Sequence, residues 1–116
     1  FLESELASRM AEAYADGRLR REQHFMAGIP ARELISSQDS DELQLLQGII
    51  DAYIYERDES ITLIDYKTDR VSDEDELRSR YRVQLELYAR ALEQLTGCAV
   101  RDKIIYSTFM KRQIML

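Results

Sequence analysis

Residues 61–67 read ITLIDYK and follow residues 45–55, LLQGIIDAYIY, across a polar connection at 57–60. Both stretches are rich in β-branched and aromatic residues, which favour strands. Two strands joined by a short polar turn predict an antiparallel hairpin. Because both strands are largely apolar, we expect them to lie at the centre of a sheet.

A long helix and a further strand follow the hairpin. Residues 73–95 predict a helix, with Ser72 or Asp73 as its N-cap and acidic residues near the positive end of its dipole. Gly97 is suited to end this helix, and residues 99–108 predict a last strand. A strand that returns after a helix favours a parallel crossover into the same sheet.

The residues before the hairpin predict a helix, a strand and a loop. Apolar residues recur at helical spacing over 2–14, and Gly17 is suited to end that helix. Residues 20–35 are expected to be extended, with a strand at 22–26, and 36–42 (SSQDSDE) predict a mobile polar loop. The complete order predicts a mixed α/β domain with one sheet and at least two helices.

The composition is that of one globular domain. The chain has 116 residues, 45% hydrophobic and 33% charged, and no apolar run approaches the roughly 18 residues of a membrane span. One cysteine, Cys98, cannot form an internal disulfide or an iron–sulfur cluster, so we expect a cytoplasmic protein. A net charge of −6 argues against a purely electrostatic nucleic-acid binder. Because the sequence starts at Phe1 and shows no signal peptide, we expect a piece of a longer protein.

Charged residues interrupt both central strands. The alternation of side chains along a strand predicts two sets that each share a face: Ile49, Asp51, Tyr53 and Tyr55, and Ile61, Leu63, Asp65 and Lys67. One interpretation is a margin of the sheet where Lys67 forms a salt bridge with an acid. The other is a divalent-metal site, in which Asp51 and Asp65 supply hard oxygen ligands for Mg²⁺ or Mn²⁺ and Lys67 orients a water.

The long helix carries a polar residue within its apolar stripe. The residues that recur at steps of three and four are Leu77, Tyr81, Gln84, Tyr88, Leu92 and Leu95. A buried amide at Gln84 must find hydrogen-bond partners. It is either a satisfied core glutamine or, together with Tyr88 one turn later, a residue that reaches toward the metal site or a substrate phosphate.

Four short segments together resemble the motifs of one nuclease family. They are REQHF at 21–25, GIID at 48–51, IDYKTDR at 64–70 and QLELY at 84–88. In this order they are similar to the R-E-x-P-F, GxxD, DYK and QxxxY motifs of the RecB-type PD-(D/E)xK nucleases, and to their helicase–nuclease members above all. The resemblance covers nearly the whole chain and implies a restriction-endonuclease-like core, a mixed central sheet flanked by helices.

The resemblance assigns catalytic and metal-binding roles by position. It implies that Asp51 and Asp65 bind the metal, with the backbone carbonyl of Tyr66 as a further ligand. It implies that Lys67 is the catalytic lysine. Gln84 corresponds to the first residue of the QxxxY motif, which orients the lysine or the DNA.

Supporting and DNA-binding roles follow from the same resemblance. It implies that Glu22 is a supporting acid of the first strand, that Tyr88 completes the QxxxY pair, and that Thr68 and Arg70 contact phosphate. His24 departs from the family, which usually has proline there, and we interpret it as a strand residue of modest consequence. The family's metal-linked histidine belongs to an upstream helix, which we expect to precede this sequence.

The resemblance implies a function as well as a fold. The expectation is a Mg²⁺-dependent DNA exonuclease domain, with Mn²⁺ able to substitute, at the C-terminal end of an ATP-dependent helicase–nuclease. Such a domain hydrolyses unwound single strands during double-strand-break repair, away from membranes and beside a second protein of the same complex. The alternatives are a stand-alone RecB-like or CRISPR-associated nuclease, and a catalytically silent nuclease fold that serves as an interaction module.

Overall fold

The predicted hairpin forms the middle of a five-stranded sheet in the computed structural model, which describes residues 5–30 and 42–116. The strand order is β1-β2-β3-β4-β5. The strands are β1 (Leu19–Pro30), β2 (Leu43–Tyr55), β3 (Ile61–Lys67), β4 (Val100–Ser107) and β5 (Arg112–Met115). The pairs β1–β2, β2–β3 and β4–β5 are antiparallel, and β3–β4 is parallel. The predicted mixed α/β fold is therefore confirmed.

Two helices cover opposite faces of the sheet. Helix α1 is Glu5–Ala15 and helix α2 is Glu74–Thr96. Asp73 caps α2, because its side chain accepts a hydrogen bond from the backbone N–H of Asp75, and Gly97 ends it in the left-handed conformation at φ 74°. One apolar cluster lies between α2 and the sheet and another between α1 and the sheet.

The parallel crossover positions the site. Strand β3 leads into α2, which returns the chain to β4 beside β3, as predicted from the order of elements. Lys67 at the C-terminal end of β3 pairs with Ser107 at the C-terminal end of β4, so both strands end at the same end of the sheet. The first turns of α2 lie at this end of the sheet. Side chains of the helix therefore lie over the last residues of β3.

Strand β5 was not among the predicted elements. It is only four residues long, and Ile114 is its one buried residue, so no alternating pattern marks it. Its turn contains no glycine or proline, and Lys111 itself adopts the positive φ of 56° that closes it. The sequence pattern therefore predicts the strands up to β4 and does not predict β5.

The face assignment of β2 is wrong for Ile49. Ile50 and Tyr53 both pack in the cluster beneath α2, although an undisturbed strand would point them to opposite faces, and Ile49 is exposed. Arg21 pairs with Ala52 and Gln23 pairs with Ile50, so Glu22 of β1 lies opposite Asp51 of β2, but these two residues do not pair. Glu22 has a φ of 49°, so the strand pair changes faces at this point. The site acid Asp51 lies at the irregularity.

The stripe predicted on α2 differs from the observed one at its C-terminal end. Leu95 is exposed, whereas Leu85 and Ala89 are buried against the sheet. Leu95 follows the buried Leu77 by 18 residues, which is about five full turns, so both lie on the same side of α2 and the exposure of Leu95 arises at the last turn of the helix.

Three predicted segments reach beyond the described residues. The polar loop at 36–42 lies outside them except for Glu42, as do residues 2–4 of the first helix and 31–35 of the extended stretch. No helix in the described part of the chain is both long and apolar enough to span a lipid bilayer.

Candidate metal and catalytic site

Asp51 lies where β2 separates from β3. Pairing between these strands extends from Tyr55 and Ile61 to Ala52 and Ile64 and stops there. The backbone N–H of Tyr66 donates instead to Asp51 Oδ2 at 2.9 Å. The Asp51 carboxylate therefore satisfies a backbone donor that the separating strand leaves free, which holds the carboxylate at the fork.

Asp65 is a buried carboxylate beside Asp51. Only 5% of the residue is exposed, and its Oδ2 lies 2.9 Å from Lys67 Nζ. Burial is the main cause that raises the pKa of the Asp65 carboxyl to about 6, and the neighbouring Asp51 carboxylate raises it further. The Lys67 ammonium opposes both effects. Two acidic side chains therefore lie close together where Asp65 is buried, and the single Lys67 ammonium does not balance their charge.

A divalent cation fits this unbalanced negative charge. Among the described residues, Asp65 Oδ2 is buried and has no aligned hydrogen-bond donor, although the Lys67 ammonium is close. Adjacent carboxylates are the ligands that Mg²⁺ and Mn²⁺ prefer. No group of three or more His, Cys, Asp or Glu side chains is assembled within residues 5–30 and 42–116. Two carboxylates are nevertheless sufficient for Mg²⁺, which usually keeps several waters. The Tyr66 carbonyl stays a predicted further ligand.

Glu22 shares a cleft with the site. A cavity of about 150 Å³ is lined by Arg21, Glu22, Asp51, Ala52 and Tyr66. Glu22 reaches it because the strand pair changes faces there. The structure thus brings the predicted supporting acid next to Asp51, and it adds Arg21 as a positive group at the same cleft.

Lys67 is held by three neighbours. Its side chain is only 17% exposed, and Nζ donates to Gln84 Oε1 at 3.0 Å in addition to its contact with Asp65. The ammonium also lies 4.1 Å from the centre of the Tyr81 ring. Gln84 is therefore a partner of the lysine, which is one of the two alternatives that the family resemblance implied, the other being the DNA. The ion pair of the simpler interpretation is present too, at a buried position.

Tyr88 contacts a different part of the site. It packs edge-to-face against Phe25, with ring centroids 5.1 Å apart. A Cβ on Gly48 would lie 2.9 Å from Tyr88 Oη and 3.2 Å from the Phe25 ring. The first residue of the GxxD motif is therefore glycine because the last residue of the QxxxY motif occupies the space.

We expect Gly48→Ala to lower the free energy of unfolding by about 1–3 kcal/mol, because the new methyl group overpacks the contact with Tyr88 and Phe25. Urea denaturation followed by circular dichroism measures this change. Gly28→Ala is the matched control, since a Cβ there meets only the Leu43 side chain, at 3.3 Å, which can move. Tyr88→Phe should recover part of the loss in the double variant. Equal stability of Gly48→Ala and the unsubstituted protein would contradict this account.

The other predicted residues are exposed. Thr68 and Arg70 are exposed just beyond β3. His24 is exposed on β1. Sequence reasoning missed Asp69 and the role of Tyr81, which together form a polar cluster beside Lys67. The only signal for them was their position, immediately after the DYK segment and one turn before Gln84.

Comparison with known proteins matches nearly the whole chain. The sequence matches the PD-(D/E)XK nuclease superfamily over residues 2–112. It is 39% identical to an ATP-dependent helicase/nuclease subunit from Lachnoclostridium phytofermentans, in an alignment that covers 100% of this chain and 11% of the relative. Proteins of the same name from Clostridium botulinum strain 657 and Acetivibrio thermocellus are 41% and 43% identical over 91% of this chain and 8% and 9% of their own length. The chain spans about a tenth of the curated relatives it matches.

Proposed function

Because the chain belongs to the PD-(D/E)XK nuclease superfamily, we propose that it hydrolyses phosphodiester bonds of DNA in a reaction that depends on Mg²⁺, with Mn²⁺ able to substitute. The observation that carries this proposal is that the Asp51 carboxylate and the Lys67 ammonium both lie beside the Asp65 carboxylate, whose Oδ2 is buried without an aligned donor. A buried carboxylate oxygen without a donor costs free energy of folding. The protein can sustain this cost when a cation or substrate offsets it.

Each group has a distinct task. Asp51 and Asp65 would hold the cation, and the Tyr66 backbone N–H fixes the orientation of Asp51. When bound, a divalent cation lowers the pKa of a coordinated water and stabilises negative charge on the phosphate. Lys67 has three N–H donors, of which one faces Asp65 and one donates to Gln84. We propose that the ammonium orients the attacking water or a phosphate oxygen when substrate is bound.

The substrate we propose is single-stranded DNA from an unwound duplex. The site reads backbone, so little sequence preference is expected. The net charge of −6 gives the domain little general attraction for DNA, so delivery by an attached motor would supply the local concentration.

We propose that the 116 residues form one nuclease domain of a longer protein. The relatives that carry it are named helicase/nuclease subunits, and this chain spans about a tenth of their length. The intact protein would then be a cytoplasmic subunit of the AddA type, with its ATP-dependent helicase outside these residues and a partner of the AddB type. Its role would be the processing of DNA ends in double-strand-break repair.

The test is cleavage of an end-labelled single-stranded oligonucleotide. We expect short products with Mg²⁺ or Mn²⁺, none with a chelator, and recovery when the metal is restored. Titration calorimetry of Mn²⁺ with the protein should show binding that Asp51→Asn removes, whereas Asp58→Asn, in the exposed turn before β3, should keep it. Manganese binding without cleavage would identify a silent nuclease fold, and cleavage that persists in chelator would overturn the metal mechanism.

A further inference from the structure

Tyr81 lies under the lysine of the candidate site. Its ring is on α2, one turn before Gln84, and Lys67 Nζ is 4.1 Å from the ring centre. The ammonium is thus bounded by a carboxylate, an amide and an aromatic face, of which only the first two belong to the recognised motifs. An ammonium over the face of an aromatic ring is attracted by the electrons of the ring.

The Tyr81 ring is itself held in place. The Tyr81 hydroxyl donates to the Asp69 carboxylate, whose two oxygens lie 2.9 and 2.8 Å from it. Arg80 also donates to Asp69, at 2.7 Å, and to Glu76 at 3.1 Å. The Tyr81 hydroxyl, and after it the Arg80 guanidinium, lower the pKa of Asp69, so this carboxylate stays charged at neutral pH. The loop after β3 and the helix α2 are joined at this point.

This arrangement meets a requirement of the lysine. A lysine side chain has a flexible four-carbon stem, so a defined direction for its ammonium needs restraints from several sides. An ion pair with Asp65 and a hydrogen bond to Gln84 restrain the ammonium on two sides. The Tyr81 ring flanks the ammonium on a further side, so the ammonium has neighbours in three directions.

We propose that Tyr81 is a positioning residue for Lys67, and that the Asp69–Arg80 ion pair fixes the ring in that position. The proposal rests on the proposed nuclease reaction for its kinetic consequence, but the geometry can be tested without activity. Tyr81 touches neither carboxylate that would hold the metal in the described contacts, so metal affinity should not depend on it.

The experiment compares Tyr81→Leu, Tyr81→Phe and Asp69→Ala with the unsubstituted protein. The first readout is the ¹H–¹³C NMR signal of the Lys67 ε-methylene in chelator, which a ring at this distance shifts upfield. We expect Leu to abolish the shift, Phe to retain most of it, and Asp69→Ala to reduce it. Tyr14→Leu is the matched control, because Tyr14 is 75% exposed on α1, which covers the face of the sheet opposite to α2.

The second readout is kinetic. In Tyr81→Leu, kcat should fall about three- to thirtyfold with little change in KM or in the Mn²⁺ dissociation constant, since the lost attraction acts on the ammonium alone. Tyr81→Phe should rescue most of this loss. A shift that persists in Tyr81→Leu, or an unchanged kcat, would overturn the proposal, as would a loss that Phe does not rescue. If the unsubstituted protein cleaves no DNA, the nuclease proposal fails, and the NMR shift alone decides the positioning of Lys67. Should Tyr81→Leu fail to fold, Asp69→Ala decides the geometry.

Discussion

Asp65→Asn should reduce cleavage by at least about 1,000-fold, abolish Mn²⁺ binding and, in chelator at pH 7.5, raise the free energy of unfolding by about 1–2 kcal/mol. The gain in stability follows from burial, because the folded protein raises the pKa of Asp65 to about 6 from an ordinary value of 3.8. The neutral amide avoids that cost, and it has a donor to offer Asp51 and an oxygen to offer Lys67.

The sign of the pH dependence follows from the same shift. Between pH 4 and 6 the folded protein holds a proton on Asp65 that the unfolded chain releases, so raising the pH favours unfolding. The stability contributed by protonated Asp65 is complete below pH 3.8 and is lost as the pH rises through about 6. The advantage of Asp65→Asn should therefore be full near pH 7.5 and shrink toward zero at pH 4.

Chemical denaturation of both proteins in chelator, at several pH values, measures this difference. Asp75→Asn is the matched control, since Asp75 is an exposed acid of the first turn of α2, and its effect should stay within about 0.5 kcal/mol. A large loss of stability in Asp65→Asn would mean that the ion pair with Lys67 outweighs burial. Retained Mn²⁺ affinity would remove Asp65 from the metal site.

The parts of the fold with strong local chemistry could be predicted from the sequence. The strand Ile61–Lys67 was predicted with its observed ends, because a polar turn and a dense β-branched run bound it. Asp73 and Gly97 delimited α2 to within a residue, since an N-cap side chain and a left-handed glycine each have a local cause. The contact of Lys67 with Gln84 is one of the two alternatives that the order of motifs along the chain predicted for this glutamine.

The unpredicted parts depend on contacts between distant residues. The change of faces at Glu22 and Asp51 breaks strict alternation, and no local signal in either strand announces a non-glycine residue with positive φ. The Asp69–Tyr81 contact joins two residues twelve positions apart. It forms only because the crossover lays the start of α2 over the end of β3. Such a contact is visible in three dimensions and not in a spacing pattern.

Lys67→Met separates the contribution of the Lys67 ammonium from that of a divalent cation, both of which we expect next to Asp65 Oδ2. Because the ammonium and a divalent cation both offset the charge of this oxygen, removing the ammonium should leave Mn²⁺ affinity unchanged or increase it. Cleavage should nevertheless fall by about 100- to 1,000-fold, since nothing then orients the water or phosphate beside the carboxylates.

The free energy of unfolding of Lys67→Met should also depend on whether the ammonium or a divalent cation offsets the charge of Asp65. In chelator at pH 8, we expect a loss of about 2–4 kcal/mol, because Asp65 is left buried next to Asp51 without a counter-charge. Saturating Mn²⁺ should restore most of that loss, and the double variant Asp65→Asn/Lys67→Met should not suffer it. Calorimetry, single-turnover cleavage and denaturation with and without Mn²⁺ measure the three quantities on one set of proteins. Weakened Mn²⁺ binding in Lys67→Met would show that the lysine supports the metal site instead of sharing its charge.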